Sequence, residues 1–149
     1  MIPYFGDFTE DDTILIPFNT TSAPASAWGQ TTGAASITIT NLADADIMVH
    51  KDGSVTQIVT DGATVVIDFD GITGNHLITI DSSVHADYAT GSEYTVRIEG
   101  ATVDGATINA WVGSFSIERA GGALALLKLI QAAVITNATG VDIAADIIA

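Results

Sequence analysis

The sequence predicts an all-β antiparallel sandwich or barrel followed by a short α-helical C-terminal tail. Three observations carry that prediction: short β-branched and aromatic runs recurring through residues 1–119, four Asp-Gly pairs, and a switch of composition beyond residue 119. Branched and aromatic side chains suit a pleated, half-buried surface. Asp and Gly tolerate the positive φ that a two-residue hairpin turn demands. The first stretch is rich in Thr, Val, Ile and Gly and the second in Ala, Leu and Ile, with the boundary near Gly121 and Gly122. The expected division is therefore a β-sandwich domain over 1–119 and a helical tail over 120–149.

In chain order, the acidic start, Met1 to Asp12, carries Asp7, Glu10, Asp11 and Asp12 without a basic residue. A secretory signal needs a basic beginning and then an apolar run, so no export signal is expected. Strand-like runs follow at Thr13 to Phe18, Ser36 to Thr40, Asp46 to Lys51, Val55 to Thr60, Thr64 to Phe69, His76 to Asp81, Glu93 to Glu99 and Thr107 to Ile117. Between the first two lies Thr20 to Ala35, a Thr, Ser, Ala, Pro and Gly stretch with a single Trp28. It reads as a long surface loop, either a candidate contact surface or a plain connector with Trp28 tucked onto the sandwich. At least two of Asp52-Gly53, Asp61-Gly62, Asp70-Gly71 and Asp104-Gly105 should close hairpins. The clearest is Asp104-Gly105, because before it Tyr94, Val96 and Ile98 alternate with Thr95, Arg97 and Glu99, one face inward and one wet. After it, Trp111 sits between Ala110 and Val112 and reads as core.

The tail opens with Ala123 to Ile135, apolar on nearly every face and interrupted only by Lys128 and Gln131. At about 13 residues it falls short of the roughly 17–25 that a membrane span requires. A helix apolar all round must be buried against something, so Leu124, Leu127, Leu129, Ile130, Val134 and Ile135, together with Trp28 from the loop, are the candidate oligomerisation or docking residues. Thr139 and Asp142 form a weak capping pattern for a second helix, Val141 to Ala149. The ending Ile147-Ile148-Ala149 has no closing Gly or basic residue, so either the natural polypeptide continues, which is the favoured expectation, or this end packs into an oligomer.

Composition narrows the function. A chain of 149 residues suits one domain with a core of its own. Its net charge of −14 repels phosphate backbones and anionic headgroups, so neither nucleic acid nor membrane is an expected partner. The absence of cysteine removes disulfides, thiolate metal sites and cysteine nucleophiles. Asp68, Asp70 and Asn75 stand around two glycines as an incomplete calcium loop, for which an ordinary strand-ending turn is the stronger reading. His50, His76 and His85 show no ligand spacing, so no metal and no cofactor is expected. Gly113-Ser114-Phe115-Ser116 lacks the spacing of a nucleophile elbow, and acidic pairs are too abundant to mark a glycosidase, so the chain is not expected to be an enzyme. A carbohydrate-binding module, with Trp28 and Trp111 as sugar platforms, is an alternative.

Two resemblances add to this. DYATGSEYTVRIEG, Asp87 to Gly100, is similar to the strand after the corner in immunoglobulin-like sandwiches, where a Gly turn precedes a Tyr whose hydroxyl ties back to the backbone. Tyr94 would be that residue, with Gly91 one position further away than usual; a Tyr that simply packs is the alternative. More broadly, PYFGDFTEDDTILIPFNT (3–20), ADIMVHKDGS (45–54), VVIDFDGITGNHLITID (65–81), YATGSEYTVRIEGATVDG (88–105) and VGSFSIE (112–118) resemble N-terminal domains of tailed-bacteriophage tail-fibre and baseplate upper proteins. ATGVDIAADIIA (138–149) looks like the start of the helical linkers that follow such domains, whereas Thr20 to Ala35 matches nothing in them. The resemblance implies a structural virion protein, assembled in the host cytoplasm, usually homotrimeric, with other virion proteins as partners and no catalytic residues. A capsid decoration or head-fibre protein is the neighbouring alternative.

Overall fold

The structure is a computed structural model that describes residues 2–22, 26–27, 30–31, 35–58 and 62–138. The chain runs through β1 (Tyr4–Phe8), β2 (Thr13–Asn19), β3 (Ser26–Ala27), β4 (Gln30–Thr31), β5 (Ile47–Lys51), β6 (Gln57–Ile58), β7 (Ala63–Val66), β8 (Asn75–Asp81), β9 (Ser92–Val103) and β10 (Ala106–Ile117), then α1 (Ala123–Ala138). Two sheets hold the core, one ordered β1-β10-β9-β5-β6 and the other β2-β8-β7, while β3 and β4 form a small separate ribbon. The described residues are thus mostly β, in two principal sheets with one helix after them, and the expected second helix, Val141 to Ala149, lies outside the described residues.

The period-2 pattern places the core. Along β9, Tyr94, Val96 and Ile98 are buried, and along β8 His76, Ile78 and Ile80 are. Ile14 and Ile16 of β2 stand opposite Ile80 and Ile78 in register, so aliphatic rows line one face of the smaller sheet. Phe115 and Ile117 of β10 complete the layer from the larger one, and Tyr94 stacks on Phe115 with ring centroids 4.9 Å apart.

Three of the Asp-Gly pairs turn the chain with both residues at positive φ: Asp52-Gly53, Asp70-Gly71 and Asp104-Gly105. The last is a two-residue hairpin, with Val103 paired to Ala106. The first begins the loop between β5 and β6, where the Ser54 N–H donates to Lys51 C=O at 2.8 Å. The second, Asp70-Gly71, lies in the longer connection between the paired strands β7 and β8. Gly62 instead directly precedes β7, and a Cβ there would clash with Val84 Cγ2 and stand 2.6 Å from Asp81 C=O.

Four expectations change. β1, within the acidic start, is a strand, and it pairs with β10 in parallel, so the sandwich is not wholly antiparallel. Ser36 to Thr40 is not a strand: Ser36 bridges Thr21, and Thr40 bridges Thr102 of β9. One isolated bridge at each end of the segment does not make a ladder. Within Thr20 to Ala35, Ser26–Ala27 pairs with Gln30–Thr31, so part of the stretch is a ribbon, while Trp28 lies outside the described residues. Trp111 is not core. The β10–β9 register shifts between Trp111 and Gly113, the additional residue Val112 is buried, and Trp111 opposite Arg97 points to the outer face, 45% exposed. A bulge reverses the in–out parity of the strand beyond it.

The expected turn from β8 to β9 is tied down as the resemblance to corner-type tyrosines implies. Tyr94 Oη donates to Asp87 C=O at 2.9 Å and accepts from Ala89 N–H at 2.7 Å. Tyr94→Phe keeps the ring but leaves both backbone groups unpartnered, which should lower unfolding stability by about 1–3 kcal/mol in urea titrations. Gly105 has φ 77° and open space around its Cα. Gly105→Val should therefore cost about 1–3 kcal/mol from backbone strain, whereas Gly105→Asn should be tolerated.

Candidate functional site

The helix leaves the sandwich through a polar clasp. Asp7 of β1 uses Oδ1 to accept from Ser116 Oγ at 2.6 Å and from the Arg119 N–H at 2.9 Å. The Tyr4 hydroxyl meets Ser116 Oγ at 2.6 Å. Gly122 belongs to the same corner, because a Cβ on it would stand 2.9 Å from Arg119 C=O and 3.1 Å from Asp7 Oδ2. Glu118, at the end of β10, is buried and at positive φ. Its carboxylate pairs with Lys128 from the second turn of α1 and accepts from the Glu10 N–H at 3.2 Å. The Lys128 hydrogen bond holds the Glu118 carboxyl below its ordinary range, with burial opposing it. Arg119 Nε completes the corner on Glu93 at 2.9 Å.

Beyond that base α1 stands bare. Leu126, Leu127, Leu129, Ile130 and Val134 are all more than half exposed, Leu129 at 67%. Leu124 is half-buried. With Leu127 it lines a cleft of about 430 Å³ between the helix base and Tyr4, Asp7 and Arg119. At about 100° per residue the five exposed aliphatic positions cover an arc of roughly 160°. Of the residues singled out in the sequence, α1 thus brings Leu124, Leu127, Leu129, Ile130 and Val134 together on one element, while the side chains of Ile135 and Trp28 lie outside those described. No helix among the described residues is long and apolar enough to cross a membrane.

A second concavity was not foreseen in the sequence. It lies on the outer face of the five-stranded sheet, has a volume of about 370 Å³, and is lined by His50, Ser54, Val55, Thr95, Arg97 and Trp111 among others. The Arg97 guanidinium lies over the Trp111 ring at 5.3 Å, and the His50 ring meets that indole edge-on at 5.4 Å. Arg97 is also paired with Glu99. The outward half of the β9 alternation placed Thr95 and Arg97 here, but the bulge hid Trp111.

The incomplete calcium loop is a hydrogen-bonded turn. Asp68 Oδ1 accepts from Gly74 N–H at 2.9 Å, and this bond, then one from the Thr38 hydroxyl, holds its pKa below the ordinary value. Among the described residues no group of three or more His, Asp or Glu is arranged to hold a metal ion. The Asp68 N–H donates to His76 Nδ1 at 3.1 Å, so Nδ1 is bare, and Nε2 donates to Thr20 Oγ1 at 2.7 Å. The Thr20 hydroxyl passes on to Ile37 C=O. His76 therefore pins the 67–74 turn and the 35–37 segment to the core as a neutral ring. Of the other histidines, His50 is buried and His85 half-buried beside Asp87 at 3.6 Å.

Comparison with protein families, with curated proteins and with solved structures gave no match.

Burial pushes the His76 pKa below its ordinary value of 6.5, the Asp68 charge opposing. The unfolded chain therefore binds a proton below that pH which the folded state resists. Stability from this group is fully present above about pH 6.5 and is lost as pH falls through the lower folded-state value. The thermal midpoint should fall between about pH 7 and 5. His76→Gln should start lower and show a flatter slope over that range, measured by circular dichroism.

Proposed function

We propose that this chain is a structural, non-enzymatic assembly module of a tailed-bacteriophage particle, a tail-fibre or baseplate attachment domain whose C-terminal helix joins it to two further copies of itself. The observation that carries this reading is the bare aliphatic arc of α1. A single packed neighbour covers a stripe of about 100°, whereas an arc of roughly 160° suits two neighbours, as in a three-helix bundle. Burying one such side chain is worth about 1.5–3 kcal/mol, and association costs at least about 4 kcal/mol in lost freedom. Five side chains per helix exceed that cost with a modest surplus, which suits a trimer reinforced by neighbouring virion proteins.

The finer fold assignment belongs to the same reading. An immunoglobulin-like sandwich is supported by the order β1-β10-β9-β5-β6 facing β2-β8-β7, by the parallel pairing of β1 with β10, and by the hydroxyl of Tyr94 anchoring the turn before its strand. The viral assignment rests on the resemblance of the 3–20, 45–54, 65–81, 88–105 and 112–118 segments to tail-fibre and baseplate upper domains. The acidic surface, the lack of cysteine and the apolar helix agree with a protein that holds other proteins.

Multi-angle light scattering tests the assembly. The full chain should be trimeric at micromolar concentration, the chain ending at Arg119 monomeric and folded, and Leu127→Lys with Ile130→Glu should behave like the truncation. Antibody labelling of purified phage particles by electron microscopy tests the location; label at the tail or baseplate is expected, and label on the capsid lattice would favour a decoration protein. A full chain that stays monomeric throughout would overturn the assembly reading.

A further inference from the structure

We propose that the outer-face cavity at Trp111 is a binding site for a neutral saccharide ring. The case begins with the indole, which stands half-exposed on the wet face of the sheet. An exposed tryptophan face offers apolar area suited to the C–H face of a pyranose, with polar groups around it to meet the hydroxyls. The surrounding groups have that character. Ser54 and Thr95 contribute hydroxyls, Arg97 a guanidinium and His50 an imidazole, while Val55, 96% exposed, adds an apolar wall. A volume of about 370 Å³ falls in the lower part of the roughly 300–1,000 Å³ range of small-ligand sites.

Two atoms beside this cavity point to the ligand. His50 is buried, and its Nδ1 lies 3.1 Å from Ser54 C=O, which only an N–H can satisfy. Nδ1 therefore carries the proton and Nε2 is a bare acceptor, buried without a partner. Arg97 Nε is a donor in the same condition. Buried polar groups are almost always hydrogen-bonded, so an unpaired acceptor and an unpaired donor on two residues of one cavity lining call for an explanation. A hydroxyl donates and accepts at once, and vicinal sugar hydroxyls present both roles side by side. Both atoms are closed off from solvent, and the guanidinium lies on the indole at 5.3 Å. A sugar ring taking that place on Trp111 moves the guanidinium aside while Glu99 retains it, and opens Arg97 Nε and His50 Nε2 to the incoming hydroxyls.

Charge selects against acidic ligands. The Arg97 cation is already neutralised by Glu99, and the chain as a whole carries −14, so a carboxylated, sulfated or phosphorylated glycan meets no free positive charge in the cavity and a repulsive field outside it. No carboxylate among the described residues lines the cavity. Glycoside cleavage uses a pair of carboxyl groups flanking the bond, so the lining is suited to holding a sugar and leaving it intact.

The test uses the full chain on an array of neutral, sialylated and sulfated glycans, followed by titration of the best-bound neutral oligosaccharide with tryptophan fluorescence as the readout. Neutral glycans should bind and acidic ones should not. Trp111→Ala should weaken binding at least tenfold, and His50→Phe, which keeps a ring but removes the acceptor, should weaken it several-fold. Both variants should keep the wild-type circular dichroism spectrum. Trp28→Ala separates the two indoles and should bind like wild type. Absence of binding to every neutral glycan, binding only to acidic ones, or binding lost in Trp28→Ala and retained in Trp111→Ala would each overturn the proposal.

Discussion

Tyr94 is the point on which the sandwich closes. The turn between β8 and β9 carries the chain from the three-stranded sheet to the five-stranded one, so its path sets how the two layers face each other. A loop in that position has few backbone partners of its own, and here the partner is a phenol rooted in the core. The ring of Tyr94 is fully buried, stacked on Phe115 and 5.5 Å from Tyr88, while its hydroxyl holds Asp87 and Ala89. One side chain thus couples aromatic packing to loop geometry. Neither could relax without the other, because a shift of the turn would drag the ring out of the stack.

Much of this was legible in the sequence, and what was not has identifiable physical causes. Strands flanked by Asp-Gly turns and built on strict alternation, such as β8 and β9, announce both their limits and their buried face. β1 gave no such signal. Gly6 and Asp7 interrupt its alternation, and a strand that pairs in parallel with one about a hundred residues later has no hairpin turn to mark it. Trp111 misled for a different reason: between Ile108 and Ile117 apolar residues occupy both parities, so only the bulge, which is a property of pairing, decides which of them face out. The candidate site divides in the same way. The aliphatic helix was visible from composition alone, whereas the His50, Arg97 and Trp111 group draws on β5, β9 and β10 and exists only once those strands are side by side.

Electrostatics set the helix and the sandwich apart. Three of the four basic side chains, Arg97, Arg119 and Lys128, are committed to carboxylates, leaving the excess of acidic charge on the β domain uncompensated. The described helix has Lys128 as its one charged residue, and that charge is spent on Glu118 at the base. Helices from several copies can therefore approach without like-charge opposition while the sandwiches repel one another. In the trimer proposed above, that contrast would push the β domains apart around the helices and make their spacing sensitive to ionic strength.

The parallel pairing of β1 with β10 has a mechanical meaning. The first strand and the last lie side by side and run the same way, joined by the Ser114 N–H to Pro3 C=O bond and the Glu118 N–H to Phe8 C=O bond, each at 2.9 Å. Tension between the N-terminal end of β1 and the helix leaving β10 pulls the two strands past each other along their length. All the bonds between them, and the Asp7 clasp, then carry the load together instead of opening one at a time. A domain so wired transmits force through its terminal strands while its core stays out of the line of pull.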